Sequence, residues 1–228
     1  MKEQMELLNK KPDKEFSAFL QKMAEEYAKL ELYYKCAIME IETKLNVMNE
    51  EFSLANDRNP ISSIHSRLKK ITSIKEKLER KNQPLNLESI QTHLKDVAGL
   101  RVICSFLDDV YMVAEALSKQ DDIKILEWKD YIKNPKPNGY RSLHLIVEIP
   151  IFLSNCKKNV KAEIQFRTIA MDCWASLEHQ INYKKGYDKP LNADDELKLC
   201  ASLSAELDSR MNHLQKQILN TKQLNEQK

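Results

Sequence analysis

Two acidic residues have the chemistry to hold a divalent cation or to take up a proton. Asp96 comes just before the short apolar segment LRVICSF, and Glu163 lies within the segment VKAEIQF. Mg²⁺ takes oxygen ligands and commonly binds one or two carboxylates beside substrate phosphates. Glu163 could instead accept the proton of an attacking hydroxyl group, although metal coordination lowers the basicity of a carboxylate. For Asp96, an ordinary turn or helix-end aspartate is the alternative.

A row of cations with one hydroxyl group precedes Asp96 in the segment RLKKITSIKEKLER. Guanidinium and ammonium groups both bind phosphate oxygens, so such a row suits a polyphosphate chain. Taken alone, a basic helix face is more often solvated surface than a binding site. The residues concerned are Arg67, Lys69, Ser73, Lys77 and Arg80.

The segment YIKNPKPNGYRSLH combines two prolines and a glycine with basic groups and an aromatic ring. Tyr140 could stack on a purine base while Lys136, Arg141 and His144 contact the phosphates of the same ligand. A structural loop around a buried tyrosine would use proline and glycine too. The density of basic groups favours a ligand-binding loop.

The segment VKAEIQFRT alternates strictly between apolar and polar residues, as a strand with one buried face does. Its polar face carries Glu163, Gln165 and Arg167, which matter only if that face lines a cleft. Asp172 follows early in the next predicted helix. Its carboxylate could accept hydrogen bonds from the N1 and N2 edge of guanine, or simply interact well with the helix dipole.

Hydrophobic periodicity shows how the chain would position these residues. Apolar spacings of three and four predict helices, and short segments rich in branched residues predict strands. Helices are predicted over residues 16–52, 61–82, 87–95, 109–119, 169–183 and 194–219. Strands are predicted for LRVICSF, SLHLIVEI and VKAEIQF, with DIKILEW as a weaker candidate. The fold class predicted is α/β (α+β), with a small mixed β-sheet flanked by helices and long helices at both ends.

Composition sets the limits of the functional interpretation. Lys and Arg total 36 against 34 for Asp and Glu, so the net charge of +2 offers no bulk field for a nucleic acid. No signal peptide or membrane span is visible, which predicts a cytoplasmic protein. The cysteines lack the CxxC spacing of a zinc knuckle, so we expect reduced thiols that are largely packing residues. They are Cys36, Cys104, Cys156, Cys173 and Cys200.

Together these motifs resemble those of the RelA/SpoT-type alarmone synthetase family, particularly its small single-domain, RelP/YwaC-like members. RLKKITSIKEK, DVAGLRVICSF, DYIKNPKPNGYRSLH and AEIQFRTIAMDCWASLEH occur in the family's order and at its approximate spacing. The resemblance covers residues 59–183, and the helices on either side also match. It implies a sheet similar to that of nucleotidyltransferases.

The resemblance implies transfer of pyrophosphate from ATP to the ribose 3′-hydroxyl of GTP or GDP, giving pppGpp or ppGpp and AMP in the stringent response. Asp96 and Glu163 would be the catalytic and Mg²⁺-binding residues, with Glu163 assisting the 3′-hydroxyl. ATP would be bound by Arg67, Lys69, Ser73, Lys77, Arg80, Arg101 and Lys129. GTP would be bound by Lys136, Tyr140, Arg141, His144, Gln165 and Asp172.

Two positions depart from the family pattern, because members often carry arginine where Lys129 stands and asparagine where Asp172 stands. The His-Asp motif of the family's hydrolase domain is not found before Asn59, so we expect no alarmone hydrolase activity. We predict one synthetase domain over residues 1–228. It would comprise an N-terminal helical extension (1–58), a catalytic core (59–183) and a C-terminal helix (184–228).

Other functions and the oligomeric state stay open at this point. The same fold could pyrophosphorylate a tRNA or an adenine nucleotide, although near-neutral charge counts against a nucleic-acid partner. A non-catalytic module that binds RNA or protein is the alternative from another class. The apolar stripes of the terminal helices predict either subunit contacts or ordinary core, and the family resemblance favours a homotetramer.

Overall fold

The computed structural model describes residues 14–56, 58–183, 190 and 192–226. The helices are α1 (Lys14–Asn56), α2 (Ile71–Arg80), α3 (Leu87–His93), α4 (Leu107–Ser118), α5 (Ile169–Tyr183) and α6 (Ala193–Glu226). The strands are β1 (Ile61–Leu68), β2 (Ala98–Cys104), β3 (Lys124–Asp130), β4 (Leu143–Phe152) and β5 (Lys157–Thr168). No helix in these ranges has the length and apolar character to cross a bilayer.

The five strands form one mixed sheet in the order β1-β2-β5-β4-β3. β2 and β5 run parallel, and every other neighbouring pair is antiparallel. The parallel pair requires a long connection, which α4, β3 and β4 supply. The predicted α+β class with a small mixed sheet and long end helices is confirmed.

One face of the sheet is the core of the protein. Alternate residues of the central strands, such as Leu100, Leu145 and Ile164, are almost fully buried. α1 contacts four of the strands on this side, and α4 packs against β2 and β5. The apolar stripe of α1, represented by Ile41 and Leu45, is fully buried against them. Because strand side chains alternate, the opposite face presents the polar residues.

The predicted helix over residues 61–82 is wrong in its first half, because Ile61–Leu68 is strand β1. Ile61, Ile64 and Leu68 fit a helical period, but the serines and the histidine between them are only moderate helix formers. Pairing with β2 supplies backbone hydrogen bonds that local propensity does not anticipate. Arg67 therefore lies in the sheet opposite Gly99, rather than on a helical row with Lys77.

A glycine just before LRVICSF suggests a turn there, but Gly99 lies inside β2. A Cβ atom at Gly99 would lie 3.7 Å from Cγ of Arg67, in ordinary van der Waals contact. The absence of a side chain therefore leaves the polar surface of the sheet clear where the Arg67 side chain crosses it.

Two ring side chains of α5 differ in burial. Trp174 is buried and donates from Nε1 to the Leu197 carbonyl oxygen over 2.9 Å. His179 is exposed. Cys104 is buried as predicted, whereas Cys173 is exposed and does not have the expected packing role.

Candidate active site

One side chain from each of the five strands lies in a row across the polar face of the sheet. Strand pairing joins His65 to Arg101, Arg101 to Gln165, Gln165 to His144 and His144 to Lys129. Directly paired residues point to the same side of a sheet, so these five groups form one continuous strip. The strip connects the residues predicted for ATP with those predicted for GTP.

Glu163 lies beside this strip, paired with Gly99 on β2. Its carboxylate contacts His144 Nδ1 at 3.2 Å and accepts a hydrogen bond from Gln165 Nε2 at 2.9 Å. Burial alone would raise the pKa of Glu163, but the contacts with His144 and Gln165 outweigh it and lower the pKa. Glu163 is therefore a negatively charged group held in a fixed orientation.

Asp96 is held on one side and open on the other. Lys69 Nζ and Lys77 Nζ each donate to Oδ2 of Asp96 over 2.7 Å. Oδ1 is buried and has no hydrogen-bond partner among the described residues. Burial would raise the pKa of Asp96, but the hydrogen bonds from Lys69 and Lys77 outweigh it and lower the pKa. A buried carboxylate oxygen with no partner indicates a place for a ligand.

Asp96 and Glu163 line the same cavity of about 290 Å³. Its other lining residues come from β1, β2 and β5 and are His65, Ser66, Arg67, Gly99, Leu100, Arg101 and Gln165. Within the described ranges, no group of three or more His, Cys, Asp or Glu side chains is placed to hold a metal. Two carboxylates with one unpartnered oxygen fit a cation such as Mg²⁺, which keeps waters and binds substrate phosphates.

Tyr140 lies at the centre of a second group of polar contacts. Its hydroxyl accepts hydrogen bonds from Arg167 Nη2 at 2.8 Å and Ser142 Oγ at 2.9 Å, and lies 2.9 Å from His144 Nε2. Lys136 Nζ lies 4.8 Å from the centre of the tyrosine ring. A rigid ring surrounded by cations suits a nucleotide whose base stacks and whose phosphates are bound nearby.

Arginines crowd the region between the two groups. Arg167 Nη1 donates to Asp172 Oδ1 over 2.9 Å, and Arg101 Nη1 lies 3.2 Å from the same oxygen. Burial lowers the pKa of Arg101, and the positive charges of Arg167 and Arg67 lower it further, while Asp172 opposes them. The Nε atoms of Arg101 and Arg167 are buried without partners. Cations gathered in this way attract anionic ligands.

Several predicted site residues make contacts other than those expected. Arg80 is exposed and donates to the Glu76 carbonyl oxygen of its own helix, over 3.4 Å. Lys129 is paired with Glu127, which also binds Lys95. These pairs lower the pKa of Glu127 to about 2. Ser73 lies half-buried on α2, between Lys69 and Lys77 in the chain.

Arg141 also has a structural contact, because its Nη1 donates to the Ile132 carbonyl oxygen over 2.9 Å. The structure thus gathers Asp96, Lys69 and Lys77 in one cluster, and Tyr140, His144 and Glu163 in another. In the described part of the chain, the side chains of Arg80 and Arg141 form no hydrogen bond or ion pair with the side chains of either cluster.

Sequence reasoning missed two residues of the site. Arg167 is 5% exposed and bonds three predicted site residues, namely Tyr140, Gln165 and Asp172. Its place on the polar face of β5 was a usable signal, because it alternates with Glu163 and Gln165. His65 could not be found, because residues 61–68 have the apolar spacing of a helix.

This chain is similar to several known proteins. A family model described as "Region found in RelA / SpoT proteins" matches residues 66–188. GTP pyrophosphokinase YwaC of Bacillus subtilis (strain 168) is 46% identical over 187 residues, covering 82% of this chain and 89% of that protein. The crystal structure of small alarmone synthetase 2 from Bacillus subtilis matches with 45% identity and a TM-score of 0.76, covering 84% of this chain and 99% of that one.

A further structure shows small alarmone synthetase 1 from Bacillus subtilis bound to its product pppGpp. It is 34% identical, with a TM-score of 0.76, and the match covers 85% of this chain and 98% of that one. The family match extends from Ser66 on β1 to beyond the end of α5, so it includes Asp96, Tyr140 and Glu163. The chain therefore belongs to the RelA/SpoT family.

Proposed function

We propose that this chain is a GTP pyrophosphokinase, which transfers the terminal pyrophosphate of ATP to the ribose 3′-hydroxyl of GTP or GDP. The products are the alarmones pppGpp or ppGpp and AMP. The observation that carries the proposal is the continuous polar strip, which joins a carboxylate and lysine cluster to an aromatic and histidine cluster across one sheet face. Both substrates are cytoplasmic nucleotides, so the enzyme would act in the cytoplasm.

The donor ATP would bind at the end of the strip formed by β1, β2 and α2. Lys69 and Lys77 are the cations available for its phosphates, and both lie within 2.7 Å of Asp96. Arg67 and Arg101 would add guanidinium groups, which bind phosphate or stack on a base. Arg80 and Lys129 are weaker candidates for this role, because Arg80 is exposed and Lys129 is paired with Glu127. Ser73, half-buried on α2, would add a hydroxyl group.

The acceptor nucleotide would bind at Tyr140. The tyrosine ring offers a surface for the guanine base, and Lys136 and His144 lie close enough to contact phosphates. Gln165 and Asp172 lie on the same side, joined to Tyr140 through Arg167. Arg141, at the end of the same loop, would contact the phosphates of the acceptor nucleotide.

Glu163 would lie between the two substrates and accept the proton of the 3′-hydroxyl. The 3′-oxygen would then bond to the β-phosphorus of ATP, the bond from that phosphorus to the α-phosphate oxygen would break, and AMP would leave. Mg²⁺, when bound, would neutralise charge on the transferred group, with Asp96 as a protein ligand and Glu163 as a second ligand in the alternative to its role as proton acceptor. The lysines and arginines would hold the phosphates in line, because such reactions depend mainly on positioning and charge stabilisation.

The direct test is an incubation of the purified chain with Mg²⁺, ATP labelled at the γ-phosphate, and either GTP or GDP. Labelled pppGpp or ppGpp with equimolar AMP is the expected result. AMP without a guanosine product would show a different acceptor, such as a tRNA or an adenine nucleotide. Absence of turnover with every acceptor would contradict the enzymatic proposal and favour a binding module.

Replacing Asp172 by alanine is expected to raise the KM for GTP by about ten- to a hundredfold, because a lost hydrogen-bonded charge contact weakens binding by about 1.5–3 kcal/mol. Its carboxylate is the group expected to read the N1 and N2 edge of guanine. The KM for ATP should change less than twofold. Steady-state rates at varied GTP and varied ATP measure both values, and equal changes in the two would exclude Asp172 as a guanine contact.

We further propose that the enzyme is a homo-oligomer, with a tetramer as the form suggested by the family resemblance. α6 exposes a stripe of apolar side chains at spacings of three and four, each 45–58% exposed. They are Leu199, Leu203, Leu207, Met211, Leu214 and Ile218. A second stripe on α1 includes Met39 and Val47, each 63% exposed. Regular apolar stripes of this length are typical of helix–helix contacts between subunits.

Replacing Leu203 by aspartate is expected to dissociate the oligomer, because a charge would lie in the centre of an apolar contact. Light scattering after size-exclusion chromatography measures the mass, to be compared with 26.6 kDa for one chain. Ser209→Asp, on an exposed position of α6 outside the stripe, is the matched control. A wild-type protein with the mass of one chain would contradict this proposal.

A further inference from the structure

The loop between β3 and β4 carries Tyr140 and Lys136 and closes on itself at both ends. At its base, Asp130 Oδ1 accepts hydrogen bonds from the backbone of Ile132 and Lys133, at 3.0 and 2.9 Å. At its tip, the Gly139 amide donates to the Lys136 carbonyl oxygen over 2.8 Å. These bonds define the shape of the loop, which we call the acceptor loop, but they do not fix its direction relative to the sheet.

The tip of the acceptor loop rests directly on α6. Gly139 has a φ of +89°, a conformation that other residues rarely adopt. A Cβ atom at Gly139 would lie 2.6 Å from Cβ of Ala201 and 3.6 Å from Cα of Lys198. The backbone of the loop therefore touches α6 with no room for a side chain between them. Glycine is required both by the turn and by this close approach.

A small hydrophobic cluster, separate from the main core, forms the support beneath this contact. Trp174 and Ala175 of α5 and Ala201 of α6 are buried together, and Tyr140 packs against them. The hydrogen bond from Trp174 to the Leu197 carbonyl oxygen fixes α5 against α6 at the same level. One side of the Tyr140 side chain is therefore supported by residues that belong to α5 and α6.

Asp208 makes a second connection between α6 and the site, seven residues beyond Ala201 and thus on the same helix face. Its Oδ2 accepts a hydrogen bond from Thr168 Oγ1 over 2.7 Å, and the pair is buried. Thr168 ends β5 and also accepts from the Met171 amide at 3.1 Å, which caps α5. Burial raises the pKa of Asp208, while Arg141 at the end of the acceptor loop opposes this rise.

We propose that α6 is the support that positions the acceptor loop, and that Ala201 and Asp208 are positioning residues for the guanine nucleotide. Neither residue contacts substrate. The contact between Ala201 and Gly139 determines how far the acceptor loop, and hence Tyr140, lies from α6. Asp208 holds α6 against the end of β5. This inference rests on the proposed function, because it concerns the acceptor site of that reaction.

The test is steady-state kinetics of the full-length chain, with GTP varied at saturating ATP and ATP varied at saturating GTP. Asp208→Asn keeps the size of the side chain and an oxygen for Thr168, but removes the charge opposite Arg141. It should raise the KM for GTP about tenfold and change the KM for ATP less than twofold. Ala201→Val, which adds methyl groups towards Gly139, should produce the same pattern. It provides the test if Asp208→Asn does not fold.

Asn212→Ala is the matched control. Asn212 lies one turn beyond Asp208 and is equally buried, but its hydrogen bonds at 3.1 Å go to Asp108 of α4. This variant should leave the KM for GTP within twofold of wild type. An unchanged KM for GTP in both test variants, or the same rise in the control, overturns the inference. A wild-type chain that makes no alarmone contradicts the proposed function itself, before any variant is compared.

Discussion

Replacement of Glu163 by glutamine should lower kcat by about a thousandfold, while the protein stays folded and still binds both nucleotides. Removing a positioned general base costs about 10²–10⁴-fold, and losing a carboxylate that neutralises the transferred group has a cost of similar size. Glutamine keeps the shape of the side chain, but its one oxygen can replace only one of the two carboxylate oxygens that contact His144 and Gln165. Single-turnover rates and nucleotide titrations separate the chemical step from binding.

Glu148→Gln is the control for this variant. Glu148 lies on the neighbouring strand β4, where its carboxylate is 3.7 Å from Lys124, outside the clusters of the site. This substitution should leave kcat within twofold of wild type. A Glu163→Gln variant that retained wild-type turnover would remove Glu163 from the mechanism, whichever of its two roles is considered.

The lowered pKa of Glu163 also predicts how the rate depends on pH. A carboxylate whose pKa lies below its ordinary value of 4.5 is charged throughout the neutral range. The rate should therefore not fall through protonation of Glu163 until the pH is below about 4.5. Protonation of Glu163 would then remove both the proton acceptor and the metal ligand, so the loss should follow a single acid step.

The carboxylates of the site pair with cations that would also bind the phosphates of the substrates. Each carboxylate faces two cations, so a net positive charge remains in the absence of ligand, and phosphates would exchange with the carboxylate on binding. The groups are Asp96 with Lys69 and Lys77, Asp172 with Arg101 and Arg167, and Glu127 with Lys95 and Lys129. Before the substrates arrive, the carboxylates keep the arginines and lysines oriented.

The sequence predicted the central strand of the site because its pattern is local. Strict alternation in VKAEIQFRT puts Glu163, Gln165 and Arg167 on one face of β5, and the structure confirms that the other face is buried. Short-range periodicity is enough for such a strand, since each side chain points opposite to the next. The helices of both ends were predictable for the same reason.

The pairing between strands could not be predicted from local sequence patterns. His65 joins the strip only because β1 pairs with β2 in one register, and the apolar spacing of Ile61–Leu68 also fits a helix. The support of Gly139 by Ala201 joins residues far apart in the chain, and no spacing rule links them. The ion pairs of Asp172 likewise depend on the direction that α5 takes after the end of β5. Tertiary contacts decided these features, whereas propensity decided the elements.

Asp96→Asn is expected to lower kcat by about a thousandfold and to raise the Mg²⁺ concentration required for half-maximal rate. The buried Oδ1 of Asp96 has no protein partner, so this oxygen is the one available to the cation. Asparagine can still accept hydrogen bonds from Lys69 and Lys77, but it leaves two partly buried ammonium groups without a counter-charge. The free energy of unfolding should therefore fall by about 1–3 kcal/mol, measured by urea denaturation.

The dependence of rate on Mg²⁺ distinguishes two roles for Asp96. If its function is to bind the cation, the variant needs more Mg²⁺ and recovers part of its rate when Mg²⁺ is raised. If Asp96 only orients the two lysines, kcat falls at every Mg²⁺ concentration and the half-saturating concentration stays constant. Asp122→Asn, which removes a surface ion pair of 2.8 Å with Lys44, controls for loss of one acidic group and should leave both quantities unchanged. A shift in half-saturation confined to Asp96→Asn would support Asp96 as a metal ligand, because Asp122→Asn removes the same charge from the surface of the protein.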